Sequence, residues 1–402
     1  MRRVVVLGFA MLAAGGLVTA QQSAADWPQL FGASRNNIVT AAIPAGAGLG
    51  VAWKKPLPSG SAGMVVADGQ VYTLGADDEK DILFAFDAAT GTESWRMELS
   101  PTHADATANG PNSTPAIAGN LIITVSTLCQ VQAIDRRTQQ IAWTRSLTEM
   151  FDSAFAKRGG CGMSPLVAGS RVVLVTGAPK GPRLAAFDAA TGEPSWSTPD
   201  LPGGYNQVPG WIPAERLILY HHVRTHGASG ITAIDADTGA VAWQFDGAEG
   251  ESDATPVPAA PGRVLHELWD RVALYDIATR TRLWTTREAA ASRNPAVVHE
   301  GHIYTFGGQS GEFLTCLDAA DGRVKWASRI YRGHLVLAGS TLVVLSEAAG
   351  QLRLVAADPA GYRELAKVAV LTPGARTGTP PSIGAGHVFV RNLEEIVAVR
   401  VR

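Results

Sequence analysis

The sequence predicts an all-β fold: an eight-bladed β-propeller of four-stranded antiparallel blades, closed by the N-terminal strand. Three observations point there. A nine-residue signature, Asp-x-x-Thr-Gly-x-x-x-Trp, occupies residues 87–95, 188–196 and 235–243, with degraded copies at 135–143, 276–284 and 318–326. Tryptophans from Trp53 to Trp326 recur at intervals of roughly 40–50 residues, the period of propeller blades. Between them lie short runs rich in Val, Ile, Leu and Tyr and bounded by glycine, which is the strand signal, and no long helical periodicity.

The first element is a leader. Arg2 and Arg3 precede the apolar run 4–12, and Val18-Thr19-Ala20 offers a small-residue cleavage site, so residues 1–20 read as a signal peptide and the mature chain starts near Gln21. The alternative, a membrane anchor, suits the run less well. It is short and carries Gly8, with Gly15 and Gly16 close behind. Residues 21–50 form a segment leading into the ring, and 51–402 a single propeller domain. No later segment is apolar for long enough to cross a bilayer.

Each blade follows one grammar. A small-polar segment enters an inner strand, a turn leads to a β-branched second strand, and a loop leads to a third strand ending in Asp. The signature then turns the chain into an outer strand carrying Trp. The residue types suit that hairpin: Asp accepts hydrogen bonds from backbone N–H groups further on, and Gly tolerates the positive φ of a bulged loop. Trp gives the outer strand a wide apolar surface for the neighbouring blade. Trp95, Trp143, Trp196, Trp243, Trp284 and Trp326 are therefore expected to be structurally equivalent and largely buried.

Counting closes the ring. Asp87, Asp135, Asp188, Asp235, Asp276, Asp318 and Asp358 mark seven third strands, the last in a decayed unit without Trp. An eighth, 395–399, ends with no fourth strand after it, while Val51-Ala52-Trp53-Lys54 looks like a fourth strand with no blade before it. Pairing 51–57 with 395–399 removes both free edges. The competing reading is seven blades plus decorations.

The formal net charge is −2 and charged residues are 17% of the 402, so bulk charge gives no argument for nucleic acid as a partner. Three cysteines are too few for a disulfide framework. Cys129 falls in a loop between second and third strands, and Cys161 just before the inner strand of the next blade. Those loop types open on one face of adjacent blades, so the geometry permits a Cys129–Cys161 bridge. Cys316, in a third strand, is expected to be buried and unpaired.

The signature and the eightfold count resemble the PQQ-type propeller repeats, the superfamily of the quinoprotein alcohol and glucose dehydrogenases and of the outer-membrane assembly factor BamB. The opening Asp26-Trp27-Pro28-Gln29-Leu30-Phe31-Gly32, followed by Arg35-Asn36, resembles the start of many secreted PQQ-like proteins. The resemblance implies two functions. One is an exported, non-enzymatic scaffold, BamB-like, without cofactor. The other is a dehydrogenase that uses PQQ with calcium. The adjacent cysteine pair of many such alcohol dehydrogenases is missing, and the chain is shorter than those enzymes. No acylatable Cys follows the leader, which departs from the lipoprotein pattern of the assembly factor.

No catalytic constellation stands out. Ligand binding is expected where the loops entering the inner strands converge, at a channel mouth carrying Arg158, Gln207, Asp253, Arg293, Arg332 and Arg376. Converging guanidinium groups suit a small anionic ligand or an acidic surface of an envelope protein. Asp253 is the obvious counter-charge. His221, His222 and His226 read as a surface loop, and no metal site is expected there, because neighbours on a strand point to opposite faces. Asp77, Asp78, Glu79 and Asp81 read as a solvated acidic turn. Trp211 and Trp269 lie outside the repeat, in the core or on a face. The expected protein is a periplasmic or secreted monomer.

Overall fold

A computed structural model of the chain describes residues 27–105, 108–155, 159–203, 208–223, 228–249, 254–268, 270–289, 295–307 and 311–402. Eight antiparallel four-stranded sheets follow one another in sequence, each ordered from its inner to its outer strand. Blade 1 comprises Met64–Ala67, Gln70–Ala76, Lys80–Asp87 and Glu93–Pro101. Blades 2 to 7 begin at the inner strands Ala116–Ala118, Leu166–Ala168, Gly210–Ile212, Val257–Ala260, Val297–His299 and Gly333–Ala338. Blade 8 joins Ser382–Gly384, His387–Arg391 and Glu395–Val401 to the N-terminal strand Leu49–Pro56. In that closure Val51 pairs with Val399 and Trp53 with Ala398, and Lys54 bonds Glu395 at 2.7 Å. The ring therefore has eight blades, not seven.

The signature hairpins explain how the blades hold one another. Asp87 Oδ1 accepts from the N–H groups of Ala89 and Thr90 and from the Thr90 hydroxyl, and Gly91 takes φ +69°. The tryptophans occupy one ladder position, opposite Ala85, Ala133, Ala186, Ala233, Leu274 and Cys316, and a bulge follows each pair. The indole of one blade lies on the hairpin glycine of the next. A Cβ on Gly91, Gly192, Gly239 or Gly322 would come within 2.5–2.6 Å of Trp53, Trp143, Trp196 or Trp284, respectively. The indole N–H groups of Trp53, Trp143, Trp196, Trp284 and Trp326 donate to the carbonyls of Ala88, Ala189, Ala236, Ala319 and Asp358 at 2.8–3.0 Å. Trp143 and Trp326 are buried, and Trp95, Trp196, Trp243 and Trp284 are half-buried at the outer wall.

The segment before the ring does more than lead into it. Trp27 bridges Val66 of blade 1 through both backbone bonds, and Pro28 O accepts from Ile117 N–H of blade 2. Gln29 Oε1 accepts from Val167 N–H of blade 3, and Asn37 Nδ2 donates to Pro295 O beside blade 6. Ile38–Val39 pairs in parallel with the inner strand of blade 7. A segment this short reaches so many blades only along the axis. It crosses the bore and satisfies inner-strand edges that would otherwise stay unpaired. Arg35 rises from it, fully buried, and donates to the carbonyls of Ser164, Pro165 and Pro209.

Two local expectations are corrected. His221 and His222 are buried in the second strand of blade 4 and do not lie in a surface loop; His226 is outside the described residues. Asp81 is buried as well. It accepts from the Thr127 N–H at 2.7 Å and its hydroxyl at 2.9 Å, tying blade 1 to blade 2, while Asp77, Asp78 and Glu79 stay exposed. Trp211 is core, and Trp269 is outside the described residues.

Candidate functional site: the upper face of the ring

The strand order fixes which loops meet. Chain entries to inner strands and loops between second and third strands open on one face, here called upper, and the Asp–Gly hairpins open on the other. Cys129 and Cys161 lie on the upper side of blades 2 and 3 and form a disulfide, with Cα atoms 5.2 Å apart. Cys316 is buried and free of a disulfide.

Of the residues expected at the mouth, Arg158, Gln207, Asp253 and Arg293 lie outside the described residues. Arg332 and Arg376 are described, and both are exposed. The structure brings Arg332 beside a carboxylate that sequence reasoning missed, Glu347. Its Oε1 meets His334 Nε2 at 2.9 Å and accepts from the Thr377 hydroxyl at 2.7 Å. The Glu347 N–H donates to Arg332 O, and Arg376 adjoins Thr377 in the chain. Burial pushes the Glu347 carboxyl upward, but bonds from His334 and Thr377 and the charge of Arg332 outweigh it and leave it below its ordinary value. Glu347 follows the second strand of blade 7, Thr341–Ser346, in a loop that opens beside the entry to the inner strand. That shared face was the signal available in the sequence.

Apolar groups accompany the charges. The Arg332 guanidinium carbon stands 5.9 Å from the Tyr331 ring centre, and the Arg332 N–H bonds Gly311 O, which places Phe313 close by. Tyr331, Phe313, Leu128 and Met150 are all exposed on this face. Aromatic and arginine side chains on one rim suit protein recognition better than chemistry on a small substrate.

Below the rim, a belt of buried polar groups links the blades. The fifth residue of one blade's second strand meets the fourth residue of the next: Arg391 bonds the Thr73 hydroxyl, Glu267 bonds the Thr305 hydroxyl, and the His221 ring lies 4.4 Å from that of His266. Burial raises the Glu267 carboxyl to about 8, against its bonds from Thr305 and the Ala296 N–H. Burial also lowers His221 to about 3 and His266 well below the ordinary histidine value.

A family model described as outer membrane protein assembly factor BamB matches residues 15–97, 78–328 and 227–402. The chain belongs to this family. A BamB of Burkholderia pseudomallei is 29% identical over 317 residues, covering 74% of each chain. The BamB structure of Moraxella catarrhalis superposes with TM-score 0.61 at 14% identity, covering 88% of this chain and 99% of that one. A europium-containing methanol dehydrogenase gives 0.70 at 14% identity, over 94% and 98%. The quinohemoprotein alcohol dehydrogenase of Comamonas testosteroni gives 0.70 at 15%, over 94% and 80%. At these identities the dehydrogenases share the ring and nothing is transferred about their chemistry.

Fit to a quinone with its metal ion can be judged from the side chains. Among the described residues no three His, Cys, Asp or Glu groups converge on one point, and the disulfide links residues 32 apart, not neighbours. No helix among the described residues is long and apolar enough to cross a membrane.

Proposed function

We propose that this protein is an exported BamB-like scaffold of the cell envelope, whose upper face docks a protein partner in outer-membrane protein assembly. Family membership carries the reading. The exposed Tyr331 and Phe313, with Arg332 beside them where blades 6 and 7 meet, support the choice of face, and Leu128 and Met150 stand exposed on the same face at blade 2. The guanidinium pair favours an acidic patch on the partner, with Glu347 holding the local geometry. The blades lend rigidity, so the surface is preorganised and little ordering is lost on docking.

The test is cross-linking and capture from an envelope fraction with the mature protein. A component of the outer-membrane assembly apparatus is expected, and Arg332→Glu with Arg376→Glu should abolish its capture while the circular dichroism spectrum stays unchanged. Capture undiminished by the double reversal refutes this face. The leader is checked separately: N-terminal sequencing of the periplasmic protein should begin near Gln21.

A further inference from the structure

The disulfide of the upper face is out of reach of solvent. Cys129 is fully buried and Cys161 is 2% exposed. The two share a core cluster with Leu147, Met163 and Val175. Residues 147–165 connect the outer strand of blade 2 to the inner strand of blade 3, and the first half of that connection closes over the bridge. In its helix, Leu147–Phe151, the Leu147 N–H donates to Cys129 O at 3.1 Å, and the buried Ser153 just beyond places its hydroxyl 3.7 Å from Cys129 Sγ. The connection then rests on blade 3. Ala154 N–H donates to Gly177 O at 2.9 Å, and a Cβ on Gly177 would stand 2.4 Å from Ser153 Oγ and 2.5 Å from Phe155 Cδ2.

Thiol–disulfide exchange needs a thiolate to meet a sulfur directly. With Leu147 and Ser153 in place, neither sulfur offers a surface to attack. What brings the cysteines together is available earlier. The turn between the second and third strands of blade 2 is self-contained: Cys129 N–H donates to Ser126 O, Ser126 N–H to Gln130 O, and Gln130 N–H to Ser126 Oγ. Cys161 joins it through one main-chain bond, from its N–H to Thr127 O at 2.9 Å. All of these groups lie between Leu121 and Cys161, whereas blade 3 begins only at Leu166, and Gly177 follows its second strand.

We propose that an external thiol oxidant inserts the Cys129–Cys161 bridge while blade 3 is still open, and that residues 147–155 then shut the bridge away from exchange. First, one cysteine thiolate attacks the oxidant's disulfide, forming a mixed disulfide and expelling one thiolate of the oxidant. Then the other cysteine thiolate displaces the oxidant's remaining sulfur. Two thiols of the chain are oxidised to one disulfide, the oxidant's disulfide is reduced to two thiols, and the two cysteine protons pass to the oxidant's sulfurs. Reduction is the reverse of this path and needs the same access.

Dithiothreitol is the reducing probe and oxidised glutathione the oxidising one, with each cysteine followed by alkylation and mass mapping. The native protein should lose the bridge to dithiothreitol at least about a hundredfold more slowly than the same protein unfolded in urea. In protein refolded under reductant, the Cys129 and Cys161 thiols should be consumed by oxidised glutathione more slowly than in urea, by the same factor. The proposal is overturned if the native bridge is reduced as fast as the unfolded one, or if the folded thiols are oxidised as fast as the unfolded ones. Should the reduced chain not refold, the dithiothreitol comparison decides alone, because it starts from the native, bridged protein.

Discussion

Replacing Gly192 by Ala would test how the blades are locked. Gly192 has φ +69°, and its new Cβ would lie 2.5 Å from Trp143 Cδ2 and 2.7 Å from Cε3. Alanine in the left-handed region costs about 1–2 kcal/mol by itself. Overpacking against a seated indole adds about 1–3 kcal/mol. Loss of the 3.0 Å bond from Trp143 Nε1 to Ala189 O adds about 0.5–1.5 kcal/mol. The total is about 2.5–6.5 kcal/mol. Gly119 provides the control: it has φ +60° and nothing within 4 Å of an added Cβ, so Gly119→Ala should lose only the backbone part. Urea unfolding of both variants, followed by tryptophan fluorescence and far-ultraviolet circular dichroism, measures the difference. Equal losses in the two variants would refute the idea that the glycine exists to seat the indole.

The remaining predictions concern buried groups and the cross-link. Glu267, raised to about 8, keeps its proton in the native state from about pH 4.5 to about 8, while the unfolded chain releases it. Its contribution to stability is full below pH 4.5 and is lost as pH rises, by roughly 1.4 kcal/mol per unit. Glu267→Gln should flatten that slope in unfolding curves taken between pH 5 and 8; an unchanged slope counts against a neutral carboxyl. His221 and His266 act in the opposite sense. Both stay neutral when folded but protonate when unfolded below about pH 6.5, so stability is lost as pH falls towards 3. His266→Phe should make the protein less acid-sensitive, read as a higher melting temperature relative to the parent at pH 5 than at pH 7.5. Reducing Cys129–Cys161, which are 32 residues apart, should cost about 3–4 kcal/mol by loop-closure entropy, measured by unfolding with and without reductant.

The architecture was legible because its determinants are local and repeated. Asp, Gly and Trp at fixed offsets specify a hairpin and an interblade contact together, and the half-blade at each end specifies the closure. Asp81, His221 and His222 were misread because each lies among polar neighbours in sequence, while its burial comes from the adjacent blade. Thr127 covers Asp81, and His266 covers His221. The rim followed the same rule. The loops marked Arg332 and Arg376, but the Glu347 carboxylate is fixed among them by His334 and Thr377, and its N–H by Arg332 O, contacts made only in the folded ring. The role of residues 27–39 had no periodic signal, because its contacts with blades 1, 2, 3, 4, 6 and 7 are each made by a different residue and display no repeat.

The bore-crossing segment and the closing strand impose an order of events on the chain. Residues 27–57 are made early, yet Trp53 cannot find Ala398, nor Ile38 find Leu337, until nearly everything else has followed. These contacts are among the longest in sequence and among the most expensive to close by entropy. Until Val401 arrives, blade 8 has no third strand, and Leu49–Pro56 waits as an unpaired edge. A chain threaded across a membrane from its N-terminus would hold that edge open for the whole of its passage, which makes the interval before closure its period of greatest exposure to aggregation and proteolysis.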